Sequence, residues 1–221
     1  MNTVAEPTYR KRIGYQAGLL GGFATLAAAL LILGNNSTYE AIAERQAEDL
    51  LESLSQVIPD NLHDNNLLNN AILIEDAAGQ PLTVYRAMKA QQLTGLAYTA
   101  TGQGYAGDIK LLIGIHPDGS LIGVRVLAHA ETPGLGDKIE IEKDRWITAF
   151  DGRSLRNTPA GAWQVKKDGG EFDQFSGATI TPRAVVRAVH EALQFYAEYR
   201  NELAVMYEEQ APETPDSEVT P

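Results

Sequence analysis

At 221 residues, 44% of them hydrophobic, the chain is long enough for one domain with a proper core and some appendages. A formal net charge of −11 argues against a nucleic-acid surface, which needs clustered Lys and Arg to displace counterions. With no cysteine it forms no disulfide, carries no thiolate nucleophile and ligates no thiolate-held cluster.

Arg10, Lys11 and Arg12 stand directly before Ile13 to Gly34, a run without a charged residue and long enough to cross a bilayer. The next charge is Glu40, so the positive-inside rule puts residues 1–12 in the cytoplasm and all that follows the span outside. A cleaved signal peptide shares the basic-then-apolar format, but this run is longer than a signal core and no clear cleavage site follows it. It reads as an anchor. Gly18, Gly21 and Gly22 allow a neighbouring helix to pack closely against it.

Residues 35–70 are expected to form an amphipathic stalk and a loop. Ser37 or Thr38 caps a helix running to Val57, Ile42, Leu50, Leu51, Leu54 and Val57 make its apolar stripe, and Pro59 ends it. An Asn-rich loop leads into the main domain, placed at residues 71–206. Its expected strands are Ala71–Asp76, Leu82–Ala87, Leu93–Ala100, Asp108–His116 and Leu121–Leu127. The last two flank Pro117-Asp118-Gly119-Ser120, a tight-turn sequence that makes them a hairpin. A final helix starts near Pro182 and carries Val185, Val186, Val189, Leu193 and Tyr196 to about Tyr199. The acidic, Pro-containing tail, residues 207–221, has no core former and is expected to be disordered.

Gly102-Gln103-Gly104-Tyr105-Ala106-Gly107 spells GxGxxG but runs straight into a strand, whereas the dinucleotide fingerprint must open a helix. It reads as a glycine-rich loop. His63, His116, His129 and His190 lack ligand spacing, so nothing proposes a metal site, and His129 beside Glu131 reads as a loop histidine shaping a binding edge.

Two segments remain. Ser176-Gly177-Ala178-Thr179 lies where a loop turns into the final helix, small residues between two hydroxyls at a helix N-terminus that suits a phosphate. Glu131-Thr132-Pro133-Gly134-Leu135-Gly136-Asp137 follows a strand and holds Leu135 out between two glycines. That leucine is either a buried loop anchor or a side chain laid against a flat aromatic ring; its chemistry alone does not choose.

Taken with Gly104-Tyr105-Ala106-Gly107-Asp108-Ile109, the ETPGLGDKIE and DQFSGAT segments resemble the flavin-mononucleotide-binding domain shared by the G subunit of the Rnf electron-transport complex and the C subunit of the sodium-pumping NADH:quinone reductase. The resemblance covers roughly Thr94 to Tyr199. It implies an α+β fold: a single transmembrane helix, then a periplasmic FMN-binding domain with a twisted, mostly antiparallel sheet packed by helices. It also implies FMN joined by a phosphoester to Thr179, with Ser176 the rival attachment point, and a separate flavin transferase, using FAD and a divalent cation, that installs it. Ser176, Gly177 and Ala178 would shape the phosphate loop. Glu131, Thr132, Gly134, Leu135 and Gly136 would contact the ring. Ala130 departs from the lysine expected of close relatives, which bears on one polar contact to the loop. Length, short N-terminus and the HxETPGLGDKIE form favour the Rnf member of the pair: an electron relay within an inner-membrane ion-translocating complex, seated among other membrane subunits, without turnover of its own. The alternatives are the quinone-reductase member and a cofactor-free membrane-anchored adaptor.

Overall fold

The computed structural model describes residues 13–75 and 79–205. The tail expected to be disordered, the N-terminal residues expected in the cytoplasm and Asp76 lie outside the described residues. A 45-residue helix, α1 (Ile13–Val57), opens the described chain. Its first 23 residues, Ile13–Asn35, have a mean hydropathy of 2.0 and would extend about 34 Å, enough to cross a membrane. No break separates this segment from the expected stalk helix. Thr38 does not cap a new helix; its hydroxyl donates back to the Gly34 carbonyl at 3.0 Å, the i−4 bond that a helix-interior threonine makes.

The chain divides into two compact units at Leu50/Leu51, and the second holds the sheet, the last helix and the end of α1. Five strands form an antiparallel meander in chain order: β1 (Ala71–Glu75), β2 (Pro81–Lys89), β3 (Gln92–Gln103), β4 (Asp108–Ile115) and β5 (Leu121–Ala128). The hairpin between β4 and β5 turns where Pro-Asp-Gly-Ser stands, with Gly119 at φ +87°. The hairpin between β2 and β3 turns on Ala90 and Gln91, which take φ +49° and +62° without a glycine.

Period-two alternation divides the side chains of β4 between the two faces of the sheet. Ile109, Leu111, Ile113 and Ile115 belong to the core built with Val185, Val189 and Leu193 of α2 (Ile180–Val205). Leu112 and Gly114 alternate with them; a β-carbon on Gly114 would stand 2.5 Å from the Val57 carbonyl oxygen. The end of α1 therefore lies directly on the sheet backbone, with Leu54, Val57 and Ile58 fully buried. Gly102 plays the same part for α2, since its β-carbon would stand 2.8 Å from the Ala184 carbonyl.

Between β5 and α2 the chain is mostly short 3-10 turns around an aromatic cluster. Trp146 meets Phe150 edge-on, Phe150 stacks on Phe172 with ring centroids 4.6 Å apart, and Trp163 stacks on both Phe172 and His190. The region Trp163–Val165 contributes one bridge, Val165 to Phe172, and no extended strand. Helix α2 begins at Ile180, two residues before the expected Pro182. Proline there still lies in the first turn, where a missing N–H costs nothing.

Candidate functional site

Three loops meet at the start of α2, each shaped by its own sequence. In the first, Gly177 takes φ +83°, the Ala178 N–H donates to the Phe175 carbonyl at 3.1 Å, and Thr179 stands half-buried directly before the helix. Phe175 anchors this turn by packing edge-on against Trp146, whose indole N–H donates to the Asp173 carbonyl at 2.8 Å. The first amides of α2 have no intrahelical acceptor, so the helix presents free donors and its positive dipole end beside Thr179.

The second loop is a tight turn in which the N–H groups of Leu135 and Gly136 both donate to the Thr132 carbonyl, at 3.1 and 3.0 Å. Gly134 takes φ +77°, a conformation few other residues accept. Leu135 is held out by this turn, 42% exposed, and reaches toward Gly177.

Charged groups brace the far end of that turn. Lys143 Nζ lies 2.9 Å from both Asp137 and Glu140. The Gly134 N–H and then Lys143 hold the Asp137 carboxyl below the usual carboxylate range; Lys143 and then His129 do the same for Glu140. His129 Nδ1 accepts the Glu131 N–H at 3.0 Å, which assigns the ring proton to Nε2, donated to Glu140 at 2.7 Å.

The third loop is the turn Gly104–Gly107, closed by a 2.9 Å bond from the Gly104 N–H to the Gly107 carbonyl, with Tyr105 72% exposed at its tip. It joins β3 to β4 as a hairpin, so the GxGxxG glycines serve packing and no nucleotide helix.

One side chain ties the second loop to the third and to the first turn of α2. Glu131 is 4% exposed; one carboxylate oxygen accepts the Ala106 N–H at 3.0 Å and the other accepts the Thr181 hydroxyl. A β-carbon on Gly104 would stand 2.3 Å from Glu131 Oε1, and one on Gly136 would stand 2.9 Å from Glu131 Cβ.

The loops enclose an open cleft of about 390 Å³. Of the expected residues, Glu131, Thr132, Leu135, Gly136, Gly177, Ala178 and Thr179 line it, while Ser176 and Gly134 are exposed and lie outside its lining. Sequence reasoning missed Tyr105, Ile180 and Thr181, which also line it. Tyr105 sits inside a motif whose glycines dominate its reading, and Ile180 and Thr181 read as the approach to a helix. The cleft fits a phosphorylated flat heterocycle: free amides and a hydroxyl at one end, apolar Tyr105, Leu135 and Ile180 around it, and glycines where backbone must come close. A wider groove of about 600 Å³ on the other side of Ile180 holds none of the expected contact residues, and there Asp168 grips Arg183 at 2.5 and 2.6 Å.

The fold and cleft define a class, an FMN-binding domain carried on an apolar helix, and residues 104–194 match the FMN-binding domain family. Over 190 residues the chain is 50% identical to the G subunit of the ion-translocating oxidoreductase complex of Stutzerimonas stutzeri, covering 86% of this chain and 83% of that relative. It is 49% identical over 185 residues to the protein of the same name from Cereibacter sphaeroides, covering 84% of each. The chain belongs to the family of G subunits of ion-translocating (Rnf) oxidoreductase complexes. The crystal structure of NqrC from Shewanella oneidensis aligns over 64% of this chain and 75% of that one, with 23% identity and a TM-score of 0.47.

Proposed function

We propose that this chain is the electron-relay subunit of a membrane-bound, ion-translocating oxidoreductase complex of the Rnf type, with FMN held by a phosphoester to the Thr179 hydroxyl. One observation carries the attachment: of the two hydroxyls flanking Gly177-Ala178, Thr179 lines the cleft at the N-terminus of α2 and Ser176 does not. When bound, the flavin supplies one- and two-electron chemistry. The protein's own residues seat it. The α2 amides and dipole favour the remaining phosphate charge, Gly177 admits the backbone close to it, and Tyr105, Leu135 and Ile180 shield the ring from water.

The apolar part of α1 anchors the domain among the other membrane subunits of the complex. Arg10, Lys11 and Arg12 keep the N-terminus cytoplasmic and leave the domain in the periplasm, where a covalent link keeps the cofactor whatever the external flavin concentration. A flavin transferase makes that link during maturation: the Thr179 oxygen takes the FMN phosphoryl group of FAD, the pyrophosphate bond breaks, AMP leaves and the hydroxyl proton is lost. Electrons pass through the protein, which turns over no substrate alone.

The test is flavin fluorescence of the denatured protein in a gel after co-expression with a flavin transferase. Wild type and Ser176→Ala should fluoresce and Thr179→Ala should be dark at equal protein. Fluorescence surviving in Thr179→Ala moves the link elsewhere, and a dark wild type beside a fluorescent flavinylated control removes the reading.

A further inference from the structure

Glu131 stands where a contact to the flavin ring is expected, yet both of its oxygens are engaged by protein donors. The Ala106 N–H binds one and the Thr181 hydroxyl the other, and the residue is 4% exposed. The Ala106 N–H and the Thr181 hydroxyl thus occupy one carboxyl oxygen each. The sequence clears space for it. Gly104 and Gly136 stand where any side chain would strike the carboxylate or its β-carbon. His129 holds the Glu131 backbone in place from the other side through the 3.0 Å bond to its N–H.

The two side-chain bonds tie Glu131, at the head of the Leu135 turn, to two other segments: the Tyr105 turn and the first turn of α2, two residues beyond Thr179. We infer that Glu131 is the positioning residue of the cleft, a buried anionic latch that fixes Thr179 against the Leu135 and Tyr105 turns and places a fixed negative charge beside the flavin. This rests on the FMN reading above. Position and charge give separate consequences. The latch presets the geometry in which the Thr179 hydroxyl is presented, so loosening it slows flavin attachment. The charge opposes the arrival of electrons nearby, so neutralising it makes the bound flavin easier to reduce.

The experiment uses the full chain co-expressed with a flavin transferase, comparing wild type, Glu131→Gln, Glu131→Ala, Thr181→Val and Thr181→Ser. Flavin per chain is read by in-gel fluorescence over time, and the midpoint potential of loaded protein by spectroelectrochemical titration. Thr181→Val should slow loading about tenfold, the effect of losing one charge-assisted hydrogen bond, Glu131→Ala, which loses both, should slow it further, and Thr181→Ser should restore it. Glu131→Gln, nearly isosteric, should load and show a more positive potential than wild type. Should Glu131→Ala fail to fold, Thr181→Val still reads the latch. Equal loading in Thr181→Val and wild type, equally slow loading in Thr181→Ser, or an unshifted potential in Glu131→Gln overturns the inference. A wild-type chain without covalent flavin fails the FMN reading instead.

Discussion

The side chain of Leu135 lies over the backbone of Gly177, its Cδ2 standing 3.6 Å from where a β-carbon on that glycine would be. The contact brings two glycine-bearing turns, distant in sequence, to one cleft. Gly177 also holds φ +83°, which a side chain tolerates poorly. Gly177→Ala should therefore cost about 1–3 kcal/mol of stability and reduce flavin loading. Leu135→Ala, at a half-open side chain, should leave stability within about 1 kcal/mol of wild type while weakening retention of free FMN by the Thr179→Ala protein. Thermal unfolding and flavin titration separate the two. A Leu135→Ala protein that unfolds early but binds flavin normally would make Leu135 a core anchor instead.

The aromatic cluster beneath the cleft predicts a large and local stability effect. Phe150 is fully buried, stacked on Phe172 and set edge-on to Trp146, which packs against the Phe175 anchor of the Thr179 turn. Phe150→Ala should cost about 3–5 kcal/mol in denaturant unfolding. A loss below about 1 kcal/mol would mean the cluster refills the space.

Gly114, one residue before the end of β4, reports on the end of α1. A methyl group there would meet the Val57 carbonyl at 2.5 Å, and neither backbone can yield cheaply. Gly114→Ala should destabilise the protein by about 1–3 kcal/mol, as overpacking does, and should raise hydrogen exchange in residues 51–58 before it does so in α2. Uniform exchange across the domain would show that the helix end does not depend on this contact.

Asp137, Glu140 and Lys143 give a pH dependence whose sign is fixed by their shifts. Both carboxyls are lowered, so the stability they contribute is present above about pH 4 and is lost as the pH falls through their folded values. Lys143 is raised by Asp137 and then Glu140, so its share holds below about pH 10 and is lost only above its folded value. Lys143→Met should unfold at a higher pH on the acid side than wild type, and the two melting curves should converge once the carboxyls are protonated. Superimposable acid-unfolding profiles would mean solvent already screens these pairs.

What the sequence made legible was what simple periodicity or a chemical exception encodes. The alternation of β4, the Pro-Asp-Gly-Ser turn and the 3.6-residue spacing of Val185, Val189 and Leu193 each specify their element locally. The hairpin at Ala90 and Gln91 was not legible, because neither residue signals the positive φ that strand pairing imposes on it. Nor was the continuity of α1 past Thr38: a polar hydroxyl reads equally as a cap or as an i−4 donor. At the site, the turns could be read from their glycines, but the role of Glu131 could not. Its partners, Ala106 and Thr181, are 25 and 50 residues away, and only the fold brings them to it.

Peptide mapping reads the bond to Thr179 itself. Trypsin cutting after Lys167 and Arg183 releases residues 168–183, which contain Ser176, Thr179 and Thr181 as the only hydroxyl side chains. Tandem mass spectrometry of that peptide from flavinylated protein should place one FMN-less-water addition, the mass of a phosphoester-linked flavin, on Thr179. An adduct on Ser176, or an unmodified peptide from protein that nonetheless carries flavin, would contradict the account.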